Sequence, residues 1–299
     1  MKTRLSIVIL NYNTANLTKN CLNSIKKVRD EVPFEVIVCD NGSTDGSCEL
    51  IRKEFPWVKL IENGANLGFA AGNNKAKPYV KGEYVLFLNS DTIIKKGTLK
   101  ETVKYMDKNS RVGALSCRLV LADGRNLDKD ARRCFPTPWV ALTHFSNLDR
   151  IFPNSRLFAR YWCGGAPEDR VQEVDVIQGA YFLTRRSVID SVGWFDEDYF
   201  LDGEDIDLCW KIKEKGFKVI YFPKVSIIHL KGASKGKKSA AGIKVKLKDK
   251  IKYRMSSVDS MEIFYKKRLW QKYPLILNIM VIIGIKCLRA IRLIKLLIS

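Results

Sequence analysis

Three near-continuous apolar runs and a shorter fourth, spaced by helix-like stretches, constrain this chain more than any other feature. They are residues 5–10 (LSIVIL), 34–39 (FEVIVC), 58–61 (VKLI) and 83–88 (EYVLFL). Runs without polar alternation read as strands buried on both faces. Between the first two, residues 14–29 read as a helix, with Thr14 or Asn16 as cap and Leu17, Cys21, Leu22 and Ile25 on one side. A second helix is expected at 46–54. Strand, helix, strand, helix, strand with short links implies parallel pairing and right-handed crossovers. The fold class is therefore α/β, a mostly parallel open sheet flanked by helices. Such sheets bind ligands beyond the carboxyl ends of their strands, where Asp40 and Asp91 fall.

Further along, residues 112–121 (VGALSCRLVL) read as a strand. Residues 125–172 are basic, aromatic and Pro-containing, and read as a long, irregular, mobile excursion on the substrate side. The core resumes at 174–184 (VDVIQGAYFLT), followed by helices at 186–192 and 204–215 and a strand at 218–222 that reaches Val225 to His229. No internal repeat is evident.

With 299 residues, 46% hydrophobic and 28% charged, the chain can bury a sizeable core, which excludes collagen, a disordered tail and a multi-span membrane protein. The net charge of +20 is unevenly placed: 18 basic against 3 acidic residues lie from Lys231 onward. A domain at 1–230 followed by a basic tail at 231–299 is expected, the tail seeking anionic partners. Residues 231–252 are Lys-, Gly- and Ser-rich and then alternate Lys with apolar residues. Residues 274–298 are strongly apolar but carry Lys286, Arg289, Arg292 and Lys295, and Asn278 interrupts the stretch Leu275 to Ile285. A spanning helix needs ~20 mostly apolar residues, so an interfacial helix fits better, its cations reaching headgroups. Phe264, Tyr265, Trp270 and Tyr273 favour a membrane surface over the alternative, a solvated helix packed on the core. No nucleic acid is expected, since the basic residues are mixed with large aliphatics. The eight cysteines form no CxxC pair, and the first residues do not resemble a secretory leader. The expected location is the cytoplasm, peripherally attached to the inner face of the cell membrane.

Several polar clusters punctuate the strand ends. DNGSTD (Asp40 to Asp45) offers a carboxylate to a base or ribose, although such residues also make ordinary turns. NLGFAAGNN (Asn66 to Asn74) lets backbone approach a ligand closely. LNSD (Leu88 to Asp91) puts Ser90 and one carboxylate where a cation on a diphosphate would need it. GWFDEDYFLDGEDIDLCWK (193–211) holds seven acids within twelve positions. A helix dipole accounts for one or two of them, and a carboxylate in a cleft can accept a proton from a hydroxyl. His229 ends an apolar strand, the address of Asp40 and Asp91, which favours a metal-ligand role.

Taken in order, these clusters resemble the inverting family 2 glycosyltransferases of GT-A fold, over residues 4–230. The NLGFAAGNN and LNSD forms are similar to the rhamnosyltransferase-like branch, which builds cell-surface polysaccharides. The resemblance implies that Asp40 holds the donor base, flanked by Asn11 and Tyr12, with Asn66, Gly68, Asn73 and Ser90 beside the nucleotide. It implies that Asp91 and His229 hold a Mg or Mn cation on the diphosphate. Asp205 then matches the catalytic base and Glu204 an acceptor-orienting neighbour. Gln178, Gly179 and Ala180 match the floor under the donor sugar. Lys211 stands where relatives carry Arg, keeping charge but losing a bidentate fork. Asn89 replaces the first acid of the metal motif.

The implied reaction is a single displacement at the anomeric carbon, with dTDP-rhamnose the first expectation for the donor and a UDP-sugar the second. The acceptor is a hydroxyl of a glycan or polyprenyl-linked saccharide. The alternative, favoured by Asn89, is a non-catalytic nucleotide-sugar-binding or membrane-scaffold relative.

Overall fold

The structure is a computed structural model and describes residues 2–231 and 247–298. Most of the Lys-, Gly- and Ser-rich stretch at 231–252 lies outside the described residues. The N-terminal half runs β1 (Leu5–Asn11), α1 (Ala15–Lys26), β2 (Phe34–Asp40), α2 (Ser47–Glu54), β3 (Lys59–Glu62), α3 (Phe69–Asn74), β4 (Tyr84–Asn89), β5 (Thr92–Ile94), α4 (Thr98–Lys108) and β6 (Val112–Leu121). Then follow β7 (Arg132–Arg133), α5 (Pro138–Phe145), α6 (Leu148–Ile151), β8 (Gln172–Glu173), β9 (Val176–Ile177), β10 (Tyr181–Arg185), α7 (Arg186–Val192), α8 (Glu204–Glu214) and β11 (Lys218–His229). Two long helices finish the chain, α9 (Leu247–Phe264) and α10 (Leu275–Ile298).

The main sheet has the order β3-β2-β1-β4-β10-β6-β11-β5, with β8 also on β11. β1 pairs in parallel with both β2 and β4, and the register sets Asn11 opposite Asp40 and Leu10 opposite Asn89. The polar terminators of three strands therefore share one rim. The sheet is mixed rather than purely parallel, because β10 is antiparallel to both neighbours. The cause is connectivity: the chain re-enters the sheet at that rim, Tyr181 opposite Leu88, so its next strand must run back. β11 is one strand with a register shift between Phe222 and Ser226, around Pro223, which cannot donate to a ladder. The excursion at 125–172 is folded rather than irregular: it contains β7, α5 and α6, and β7 pairs with β9 in a small second sheet.

The basic C-terminal segment divides in two. α9 and residues 265–270 pack on α8, where Tyr199, Trp210, Phe264, Tyr265 and Leu269 form a second apolar core. The acids of 196–207 anchor this packing. Lys267 bridges Asp196 and Asp198 at 2.6 Å each, and Arg268 grips the fully buried Asp207 carboxylate with two bonds of 2.7 and 3.1 Å. Asn66 donates to the Tyr253 hydroxyl, joining α9 to the rim. α10 then folds back on α9. Lys286 pairs with Glu262, Arg289 with Asp259, and Arg292 donates to Ser257, so three cations expected at headgroups are held by α9. Asn278 is buried, accepting from the Tyr265 hydroxyl and donating to the carbonyls of Trp270 and Tyr273. The polar break in the apolar stretch is thus the pin of this hairpin.

Removing Arg268 leaves a buried carboxylate with Lys211 at 3.9 Å as its remaining cation. Losing one member of a buried pair costs about 3–5 kcal/mol, and the partial exposure of Arg268 reduces the expectation to about 2 kcal/mol. Arg268→Ala should lower unfolding stability in urea by that amount, and Arg268→Lys should recover part of it. A midpoint unchanged in Arg268→Ala would show that the tail does not brace α8.

Candidate active site

At the first strand end, Asp40 is buried and accepts four bonds. Its Oδ1 takes the Gly42 and Ser43 N–H groups at 3.0 and 2.8 Å, and its Oδ2 takes Asn11 Nδ2 and the Ser43 hydroxyl at 2.6 Å each. Asp40 therefore shapes the loop after β2 and locks it to β1. Asn11 Oδ1 in turn accepts from the hydroxyls of Thr14 and Thr18, and Thr14 lies 3.2 Å from the Ser90 hydroxyl. Tyr12 is exposed at the lip of this network.

The loop at 66–74 closes the same rim. Asn66 Oδ1 accepts from the Gly68 N–H at 3.0 Å, and the Phe69 N–H donates to the Phe200 carbonyl at 2.7 Å. Gly68 has φ +85°, and a Cβ there would sit 2.3 Å from the Phe200 oxygen, so glycine is required. Asn73 is buried and donates to the Phe69 carbonyl, holding α3 rather than facing outward. Gly179 lies under Phe69, with 3.2 Å from a would-be Cβ to the ring. The Ala180 carbonyl accepts the Asn89 N–H. Gln178 Oε1 is buried with no hydrogen-bond partner among the described residues. Lys211 is engaged within the fold, its ammonium donating to the Trp194 carbonyl, and burial lowers its pKa.

Two poles stand out on this rim. At the first, His229 Nε2 lies 3.5 Å from Asp91 Oδ1, and its Nδ1 meets Asp128 Oδ2 at 2.9 Å. Burial opposes protonation of His229, but the two carboxylates prevail and raise its pKa to about 9. Burial likewise disfavours the Asp128 carboxylate, yet His229 and Lys231 hold its pKa down to about 2. A histidine whose Nδ1 is fixed by a carboxylate presents Nε2 in a set direction, the usual support of a metal ligand. Among the described residues, no group of three or more His, Cys, Asp or Glu could enclose a metal. The donor set is one carboxylate and one imidazole, which would have to give up its proton to the cation; with that exchange the pair fits a Mg or Mn ion.

The second pole is the start of α8. Asp205 Oδ2 accepts from the Arg133 guanidinium at 2.6 Å, both side chains being about nine-tenths buried. Its Oδ1 accepts the Ile206 N–H at 2.8 Å. Burial works against the Arg133 charge, but Asp205 and other neighbours keep it fully protonated. Arg133 Nε is buried with no hydrogen-bond partner among the described residues. Glu204 is buried beside Asp205 in the same helical turn.

One short segment joins the poles. Asp128 contacts His229 and Arg133 contacts Asp205, and five residues of chain reach at most ~18 Å even when fully extended. Asp128 and Arg133 were not singled out from the sequence. Arg132 and Arg133 are successive strand residues and point to opposite sides. Arg133 faces Asp205, whereas Arg132 lines a cleft of about 1000 Å³ with Asp128, His144, Trp162 and Tyr221.

The family model for glycosyl transferase family 2 matches residues 6–193, well over half of the chain. The chain belongs to this family. Among its relatives, the N-acetylglucosaminyl-diphospho-decaprenol L-rhamnosyltransferase of Mycobacterium tuberculosis is 27% identical over 253 residues, 79% of each protein. The rhamnosyltransferase WbbL of Escherichia coli is 28% identical over 233 residues, covering 75% of this family 2 chain and 82% of that protein. The solved mannosyltransferase PcManGT from Pyrobaculum calidifontis, in complex with GDP-Man and Mn2+, superposes with a TM-score of 0.57 at 21% identity. The alignment covers 89% of this chain but 65% of that one, and the likeness establishes the GT-A fold.

Proposed function

We propose that this family 2 glycosyltransferase is a metal-dependent inverting enzyme of cell-surface polysaccharide synthesis. The donor is a nucleoside diphosphate sugar, dTDP-rhamnose first and a UDP-sugar second. The acceptor is a hydroxyl on a polyprenyl-linked glycan. The observation that carries the reading is the Asp128–Arg133 segment, which ties a histidine–carboxylate pole to a buried carboxylate within one rim. The names of the two rhamnosyltransferase relatives favour the first donor.

Asp91 and His229 are the residues that would hold the cation, which supplies charge neutralisation to the departing diphosphate. Asp205 accepts the proton of the acceptor hydroxyl as its oxygen bonds to the anomeric carbon. The bond to the diphosphate oxygen breaks in the same step, its electron pair leaving with the nucleotide, and configuration inverts. Both Asp205 oxygens are engaged, so the Arg133 contact must open or shift as the hydroxyl arrives. Gln178 Oε1, without a hydrogen-bond partner among the described residues, offers an acceptor to a sugar hydroxyl. Cleft residues Arg132, Lys129 and Arg150 balance Asp128, Asp149 and Glu168 around aromatic rings, which suits an uncharged glycan.

No helix among the described residues is long and apolar enough to cross a membrane. The outward face of α10, with Ile276, Met280 and Ile283 exposed, is read as an interfacial contact with anionic lipid.

The test is nucleoside diphosphate release by the full chain with dTDP-rhamnose or UDP-sugars, a lipid-linked saccharide, and Mn2+ or Mg2+. Release with dTDP-rhamnose that stops on chelation is the expected result. Donor binding without release under every condition would favour the non-catalytic alternative.

A further inference from the structure

α5 is amphipathic in an unusual sense. Its inward positions are Val140 and Thr143, and its outward face carries Trp139, Leu142 and Phe145 at three-residue spacing, exposed by 44%, 59% and 46%. Ile151, Phe152 and Leu157 extend the surface, exposed by 64%, 47% and 56%. These side chains sit on a built element. The Asp149 carboxylate is buried and accepts from His144 Nδ1 at 2.6 Å and Trp162 Nε1 at 3.0 Å, tying α5, α6 and the turn at 160–162 together. Trp139 Nε1 donates to the Leu157 carbonyl, and the Phe152 and Phe158 rings lie 5.3 Å apart. An apolar surface of this kind is uncommon unless something covers it.

Its charge says what covers it. Between residues 138 and 165 Asp149 is the one carboxylate, and it is buried; Arg150, Arg156 and Arg160 are exposed. Exposed Trp, Phe and Leu mixed with exposed arginine is the composition of a lipid interface, where rings occupy the headgroup level and cations meet anionic lipid. A symmetric pairing of two copies through this face would set the three arginines against their own images, since a two-fold interface apposes the same patch.

We infer that the α5–α6 surface is a second membrane-contacting site, separate from α10 and directed at an anionic bilayer. It rests on the reading of the chain as a peripheral enzyme and adds a contact on the excursion that also carries Arg133. The Asp205 and His229 machinery would then be held to the membrane from the acceptor side as well as from the tail.

The experiment is co-sedimentation of the full chain with phosphatidylglycerol–phosphatidylethanolamine vesicles. The double variant Leu142→Ser/Phe145→Ser is compared with Ile276→Ser/Ile283→Ser on α10. Both pairs are exposed, so thermal midpoints should match the parent. Removing two partly inserted side chains should weaken vesicle binding about tenfold. In a conservative companion, Trp139→Phe should lose part of the tryptophan quenching by brominated lipid. If the α10 variant releases the protein while Leu142→Ser/Phe145→Ser sediments like the parent, the tail reading survives and this inference falls. If neither variant weakens binding, both fall. A dimer of the parent that Leu142→Ser/Phe145→Ser dissociates would likewise overturn it.

Discussion

Asp205→Asn is expected to reduce turnover roughly 10³-fold, the middle of the range for a general base, while the donor binds as in the parent. The substitution keeps the shape of the side chain and can still accept a bond from Arg133, so the start of α8 should remain in place. What it would remove, on the proposed mechanism, is the ability to take a proton from the attacking hydroxyl. Single-turnover assays with saturating dTDP-rhamnose, alongside donor affinity by calorimetry, separate the two effects. A parallel loss of donor affinity and rate would give Asp205 a binding role instead.

The Arg133 contact makes this prediction more demanding. A carboxylate oxygen bonded to a guanidinium at 2.6 Å is not open to an incoming hydroxyl until the contact changes. Arg133 also has a buried Nε with no partner among the described residues, so the guanidinium has unused capacity for a substrate oxygen. Moving toward such an oxygen would release Asp205 as the acceptor is bound. Arg133 thus belongs to the positioning of the base, and Asp205→Asn should blunt the effect of any further change at Arg133, because both act on one carboxylate.

These two residues also mark where sequence reading stops. Asp91 and His229 announce themselves, since a long apolar run ending in a polar residue identifies both the strand and its end. Asp40 and Asn11 follow by the same logic, and the observed register places them opposite each other. Asp128 and Arg133 have no such frame. They lie in a stretch without period, and their partners are 101 and 72 residues away. The acid-rich segment at 193–211 was legible as unusual, yet its charges serve two ends. Asp205 faces Arg133, whereas Asp196, Asp198 and Asp207 bind cations of the C-terminal segment. A count of charges sees a basic tail in search of an anionic partner; in the fold, part of that partner is the acid-rich segment before and within α8. The antiparallel β10 was missed for a related reason, because strand direction depends on where the preceding excursion delivers the chain.

The metal pole supplies the second large effect. If His229 and Asp91 hold the cation as proposed, His229→Ala should lower metal-supported turnover by more than about 10²-fold, since it would delete one of two protein ligands and their share of several kcal/mol of charge stabilisation. Asp128→Asn should cost less, about 10- to 100-fold, the usual consequence of removing a carboxylate that orients a ligand histidine. The ordering matters more than either value. Asp128 touches Nδ1, the nitrogen turned away from Asp91, so its loss leaves both ligands present but the imidazole free to turn. Raising Mn2+ should therefore recover much of the activity of Asp128→Asn and little of that of His229→Ala. Manganese titrations of nucleotide release, with electron paramagnetic resonance of free Mn2+ as an independent measure of binding, test both. Equal affinity for Mn2+ in the parent and His229→Ala, in the presence of donor, would remove His229 from the metal site.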